Sequence, residues 1–181
     1  LSAKNLLIGV GNVLFKDEGV GVYAAKYLEN NYSFDDSLEI IDGGVLGFKL
    51  MALFQEYDNV IILDTVSIED SPGSVYRLPS DVLMGLGSYR KTAHEVEIIE
   101  MLEICSMLEK MANVVIIGIV PLDIGVENAL TDELISAMPQ YLRTVLDELD
   151  TLGVKYEKKN NITIESVIDN FFKENSVGNQ I

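Results

Sequence analysis

Unbroken apolar runs punctuate the chain. Residues 5–10 (Asn-Leu-Leu-Ile-Gly-Val), 60–63 (Val-Ile-Ile-Leu) and 114–120 (Val-Val-Ile-Ile-Gly-Ile-Val) show no alternation with polar residues. Short runs of this kind suit strands buried on both faces of a parallel sheet. Residues 38–41, Leu-Glu-Ile-Ile, read as a further strand. Residues 74–78 alternate after a Pro-Gly turn and read as a short edge strand, with an antiparallel direction left open. Helical patterns fall between these runs. Residues 19–30 place Val20, Val22, Tyr23, Ala24, Tyr27 and Leu28 mostly on one side. Residues 46–55 follow Gly43-Gly44, and residues 95–110 repeat Ile98, Met101, Leu102 and Cys105 at helical spacing. Residues 131–151 open on Thr131-Asp132-Glu133, a capped start. Alternating strands and helices predict an α/β three-layer sandwich, with a twisted, mainly parallel five-stranded sheet between helices.

The pattern changes near residue 155. Residues 1–154 read as one α/β domain, and 155–161 (Lys-Tyr-Glu-Lys-Lys-Asn-Asn) as a linker. Beyond it Ile164, Val167, Ile168, Phe171 and Phe172 recur at helical spacing. A short helix over 163–172 is expected to dock its apolar side on something, because solvated phenylalanines are costly.

Composition narrows the function. Hydrophobic residues make up 48% of 181, enough to bury a core without metal or disulfide staples. The single cysteine, Cys105, permits no intramolecular disulfide and fits a reducing compartment. Residues 1–15 lack a charged leader with a cleavage site, and no apolar run reaches a membrane span, so a cytoplasmic protein is expected. The formal net charge is −16, and residues 155–181 are neutral, so the main body carries all of it. That excludes a basic nucleic-acid footprint and disfavours anionic membranes; a metal ion or a basic partner is attracted instead. Acidity serving only solubility is the plain alternative.

Chemistry concentrates where strands end. Gly9-Val-Gly11-Asn12 leaves the first strand, and Asp17-Glu18-Gly19-Val-Gly21 enters the first helix. Asp17 is a natural N-cap, and Glu18 falls in the first turn, where acids favour the helix dipole. A dinucleotide site fails on detail: Leu14 stands where the third glycine belongs, and Asp42 lies too far on for the ribose acid. Asp42-Gly43-Gly44 ends the second strand and Asp64-Thr65 the third. Each acid alone reads as a turn or cap. Together with Glu18 they are expected on one rim, where open α/β sheets build their sites. His94, the only histidine, follows a glycine-bearing polar loop and precedes a helix. A carboxylate–imidazole cluster is either an acid–base site or a site for a borderline metal such as nickel or zinc. Cys105 lies too far along the same helix to pair with His94 and reads as core.

These segments resemble one family. Gly9-x-Gly11-Asn12-x-Leu14-x-x-Asp17-Glu18-Gly19-x-Gly21, Asp42-Gly43-Gly44, the strand ending in Asp64, His94 before a helix, and Gly118-Ile-Val-Pro121 look like the maturation endopeptidases of [NiFe]-hydrogenases. The resemblance covers residues 4–154 and leaves the tail unassigned. It implies an endopeptidase that removes a C-terminal extension from the nickel-loaded large-subunit precursor. It also implies that Glu18, Asp64 and His94 form a metal-binding triad, with Asp42 needed for cleavage. The nickel is expected to arrive with the substrate, and the enzyme to be a monomer or weak homo-oligomer. A nickel-binding metallochaperone or scaffold using the same triad is the alternative, and a broad cytosolic peptidase a third reading.

Overall fold

The fold comes from a computed structural model, described over residues 3–44, 49–85, 93–107 and 111–177; the side chains of 84–85, 93–95, 97 and 174–177 lie outside that description. The expected helical positions 46–48 and 108–110 also lie outside the described residues.

Five strands form one sheet: β1 (Asn5–Val10), β3 (Leu38–Gly44), β4 (Asn59–Thr65), β5 (Val75–Pro79) and β6 (Asn113–Ile119). Their spatial order is β3-β1-β4-β6-β5. All neighbours are parallel except β5, which runs antiparallel to β6 at the edge. The expected three-layer α/β sandwich is therefore what forms. One face carries α1 (Val20–Asn31), α5 (Asp132–Thr151) and α6 (Ile164–Val177), packed on Leu7, Ile61, Leu63 and Ile117. The other carries α2 (Lys49–Glu56), α3 (Ser80–Gly85) and α4 (Ala93–Ser106), packed on Leu6, Ile8, Val60, Ile62 and Ile116. The central strands alternate between two buried faces, so their sequences are apolar throughout. Cys105 is fully buried against the second face, and burial pushes its thiol pKa up.

The chain leaves β1, crosses through α1 to β3 on one side, then returns through α2 to β4 on the other. β1 and β4 thus border a topological switch point, the place where such sheets leave a crevice at their carboxyl ends. The glycines of the first segment serve packing here. A Cβ on Gly21 would lie 2.1 Å from the Leu63 carbonyl oxygen and 2.5 Å from that of Val10. Only glycine lets the start of α1 press onto the ends of β1 and β4. Gly11, at φ +138°, would place a Cβ 1.8 Å from the Glu18 carbonyl oxygen.

The tail departs from the expected linker. Residues Tyr156–Lys158 form β7, antiparallel to β2 (Tyr32–Phe34). Tyr32, Phe34 and Tyr156 cluster with ring centroids 5.8–6.1 Å apart. The Asn31 side chain, fully buried, donates to the Ile162 carbonyl and accepts from the Ile162 amide. The expected helix does form, as α6, and its docking partner is this chain itself: Ile164, Val167 and Ile168 enter the α1–α5 core. Phe171 and Phe172 meet Tyr23 edge-on at 5.9 and 6.4 Å.

Candidate active site

Asp42 and Asp64 both stand at the carboxyl rim of the sheet, where the sequence places them. Asp42 is exposed and sits beside a β-bulge: Gly9 pairs with Asp42, and the next residue, Val10, pairs with Gly44. A bulge re-aims a strand end, a frequent device next to active sites. Gly44, at φ +47°, completes the turn, and its amide donates to Asp42 Oδ1 at 3.0 Å. Asp64, by contrast, is 1% exposed. Its Oδ1 accepts from the Thr65 amide at 2.7 Å.

The expected convergence of the acids holds for the rim but not for the face. Asp42 is level with Gly9 and Leu63, and Leu63 belongs to the α1 face. The pleat turns the next residue, Asp64, towards the α2–α4 face. Asp42 borders a groove of about 210 Å³ with Val22, Ala25, Lys26 and Phe171. One strand, β1, lies between the strands that carry the acids, so two inter-strand spacings, roughly 10 Å, separate their backbones. Asp42 and Asp64 are therefore two separate positions on the rim rather than one carboxylate pair.

His94 is the second residue of α4, the helix covering the face to which Asp64 turns. Its side chain lies outside the described residues. Among the described residues, no group of three or more His, Cys, Asp or Glu is placed to hold a metal ion. Glu18 lies in a 3-10 turn, Lys16–Gly19, just before α1, and is half-buried. Its carbonyl abuts Gly11, which fixes the turn against the end of β1.

Asp17 is the residue that sequence reasoning misjudged. It caps nothing: the N-cap of α1 is Gly19, with no side-chain hydrogen bond. Asp17 is instead fully buried and accepts four hydrogen bonds from the loop after β6. Its Oδ2 takes the amides of Leu122 and Asp123 and the Thr131 hydroxyl, at 2.9, 3.1 and 3.0 Å. Its Oδ1 takes the Thr131 amide at 2.8 Å. The Thr131 hydroxyl is thereby diverted from capping α5, although its backbone keeps cap geometry. Lys16 adds ion pairs to Asp123 and Glu127 at 2.6 and 3.1 Å. Those contacts raise the Lys16 pKa, chiefly through the Asp123 hydrogen bond, and the same bond lowers that of Asp123. Lys16 is also the only described non-glycine residue with positive φ, at 24°. A strained residue beside a site persists only where surroundings over-determine it.

Solved proteins share this fold. The hydrogenase maturating endopeptidase HybD from Escherichia coli superposes with a TM-score of 0.80 and 27% identity, over 86% of this chain and 98% of that one. The [NiFe] hydrogenase maturation protease HybD from Thermococcus kodakarensis, at 23% identity and a TM-score of 0.66, shares the fold over 80% of this chain and 98% of its own. Among curated sequences, the hydrogenase 2 maturation protease of E. coli is 29% identical over 152 residues, 83% of this chain and 93% of that protein. Protein HydD of Wolinella succinogenes is 30% identical over 151 residues, 81% of this chain and 95% of that protein. The matches to hydrogenase maturation proteases place the chain among the endopeptidases, a class of hydrolases. The hydrogenase maturation protease family (HycI) matches residues 22–148, and the chain belongs to it.

Proposed function

We propose that this endopeptidase removes a C-terminal extension from the large-subunit precursor of a [NiFe]-hydrogenase once nickel is in place, acting in the cytoplasm. The observation that carries this reading is the placement of Asp42 and Asp64 at the carboxyl ends of β3 and β4, on either side of β1, within the stretch the family covers. Glu18, Asp64 and His94 recognise the nickel that the precursor carries. Two carboxylates and one imidazole leave coordination positions for the substrate's own ligands. Asp42 serves cleavage as a general base. It is exposed, its carboxylate is oriented by Gly44, and it takes the proton of the attacking water if that water sits within about 3 Å. The new carboxylate stays on the large subunit, and Asp42 passes the proton it took on to the departing amine as the peptide bond breaks.

The acidic body, at −16, favours a partner with basic residues around its cleavage region and disfavours nucleic acid. No described helix is long and apolar enough to cross a membrane. The metallochaperone or scaffold alternative is disfavoured by membership of a protease family. The test is incubation with a nickel-loaded, unprocessed large subunit, read by intact mass. A small, discrete mass loss at the C-terminus supports the proposal, and nickel transfer without cleavage would favour the scaffold.

A further inference from the structure

Four large apolar side chains lie exposed in two short segments that the structure ties together. Leu14 is 53% exposed, Leu122 50%, Ile124 52% and Val126 82%. The Glu127 amide donates to the Leu14 carbonyl at 3.1 Å, and the Lys16 amide to the Glu127 carbonyl at 2.7 Å. The Asp17 amide adds a bond to the Asp123 carbonyl at 3.2 Å. With the four bonds to the Asp17 carboxylate, the exposed leucines, isoleucine and valine are displayed from a braced frame. Scattered exposed apolar residues need no explanation, but a contiguous group usually marks an interaction site. A frame fixed before binding also lowers the ordering cost of association.

We propose that this ridge is where the folded body of the large-subunit precursor docks, which rests on the proposed function above. The occupant is a protein surface with an apolar patch ringed by basic residues. Two observations choose it. The ridge adjoins the candidate site, because the Lys16 and Asp17 amides tie its second segment to the Lys16–Gly19 turn that carries Glu18. The chain as a whole is strongly acidic, and Lys16, beside the ridge, is already paired with Asp123 and Glu127. Two copies of this chain would bring −16 against −16, so self-association is disfavoured. Asp17 acts here as a positioning residue: it holds the ridge and touches no substrate.

The test compares the full chain with an Ile124→Lys/Val126→Lys double variant and, separately, Leu14→Lys, all at exposed positions. Processing of nickel-loaded precursor is followed by steady-state kinetics, and precursor binding is measured directly. The expected result is a KM at least tenfold higher with kcat within about twofold, the signature of lost uniform binding. An unchanged KM and unchanged binding in both variants would overturn the proposal. So would a wild-type dimer that the variants dissolve without any change in KM, since the ridge would then belong to a second copy. Should the wild-type enzyme bind the precursor without cutting it, the proposed function fails, yet weaker binding by the variants would still support the docking ridge.

Discussion

The rim around residues 11–19 and the tail beyond residue 155 are built by opposite means. At the rim, buried polar atoms and close backbone contacts set position: Asp17 with four accepted hydrogen bonds, Gly11 and Gly21 where a Cβ would collide with carbonyl oxygens. In the tail, apolar area does the work: Ile164, Val167 and Ile168 in the core, with Phe171 and Phe172 on Tyr23. Polar frames place groups sharply but fail badly when one partner is removed. Apolar contacts stabilise in proportion to area and tolerate change. Changes at the rim are therefore expected to reach activity, and changes in the tail to reach stability alone.

That contrast can be broken by mutation. The largest effect is expected from Glu18→Ala and His94→Ala, each abolishing precursor processing while unfolding free energy changes by about 1 kcal/mol or less. Retained processing in both would remove the metal-recognition triad from the rim. Asp17→Ala is expected to cost about 3–4 kcal/mol in urea unfolding, because the amides of Leu122, Asp123 and Thr131 lose their buried acceptor. A change under 1 kcal/mol would show that the brace is dispensable. Ile168→Ala, in the tail, is expected to cost about 2–3 kcal/mol while kcat and KM stay near wild type. A loss of kcat there would erase the division between the regions.

The smallest effect is a pH dependence of the brace. Asp123 is held below its ordinary pKa of 3.8, first by the Lys16 hydrogen bond, so its contribution is present above 3.8 and lost as pH falls through the lowered value. Lys16 is held above 10.5, so its contribution is present below 10.5 and lost as pH rises through the raised value. Hydrogen exchange at the Lys16 and Glu127 amides should stay protected between these limits and loosen selectively on acidification. Equal loosening across α6 would mean global unfolding rather than release of the brace.

Much of the fold was legible because the central strands carry their burial in the sequence. β1, β4 and β6 carry nearly continuous apolar runs since helices cover both faces. β2 and β7 were not legible: each has three residues, and Tyr32 pairs with Lys158, far along the chain. Strand ends announced Asp42 and Asp64, because an acid followed by a turn at a parallel strand's end is a local signal. Their opposite faces required the register through Gly9 and Leu63. Asp17 looked like a cap because its neighbours in sequence form a helix start. Its true partners lie 105–114 residues away, beyond any local pattern. The repeated glycines of 9–21 were the available hint, since they mark backbone held close to backbone.

The most direct measurement of the account takes enzyme stripped by chelator and gives it the same precursor in nickel-free and nickel-loaded forms. Mass spectrometry then follows loss of the C-terminal extension. Recognition of substrate-borne nickel through Glu18, Asp64 and His94 predicts cutting of the loaded precursor alone, with no metal added to the enzyme. Efficient cutting of the nickel-free precursor would contradict it and leave a peptidase indifferent to the metal.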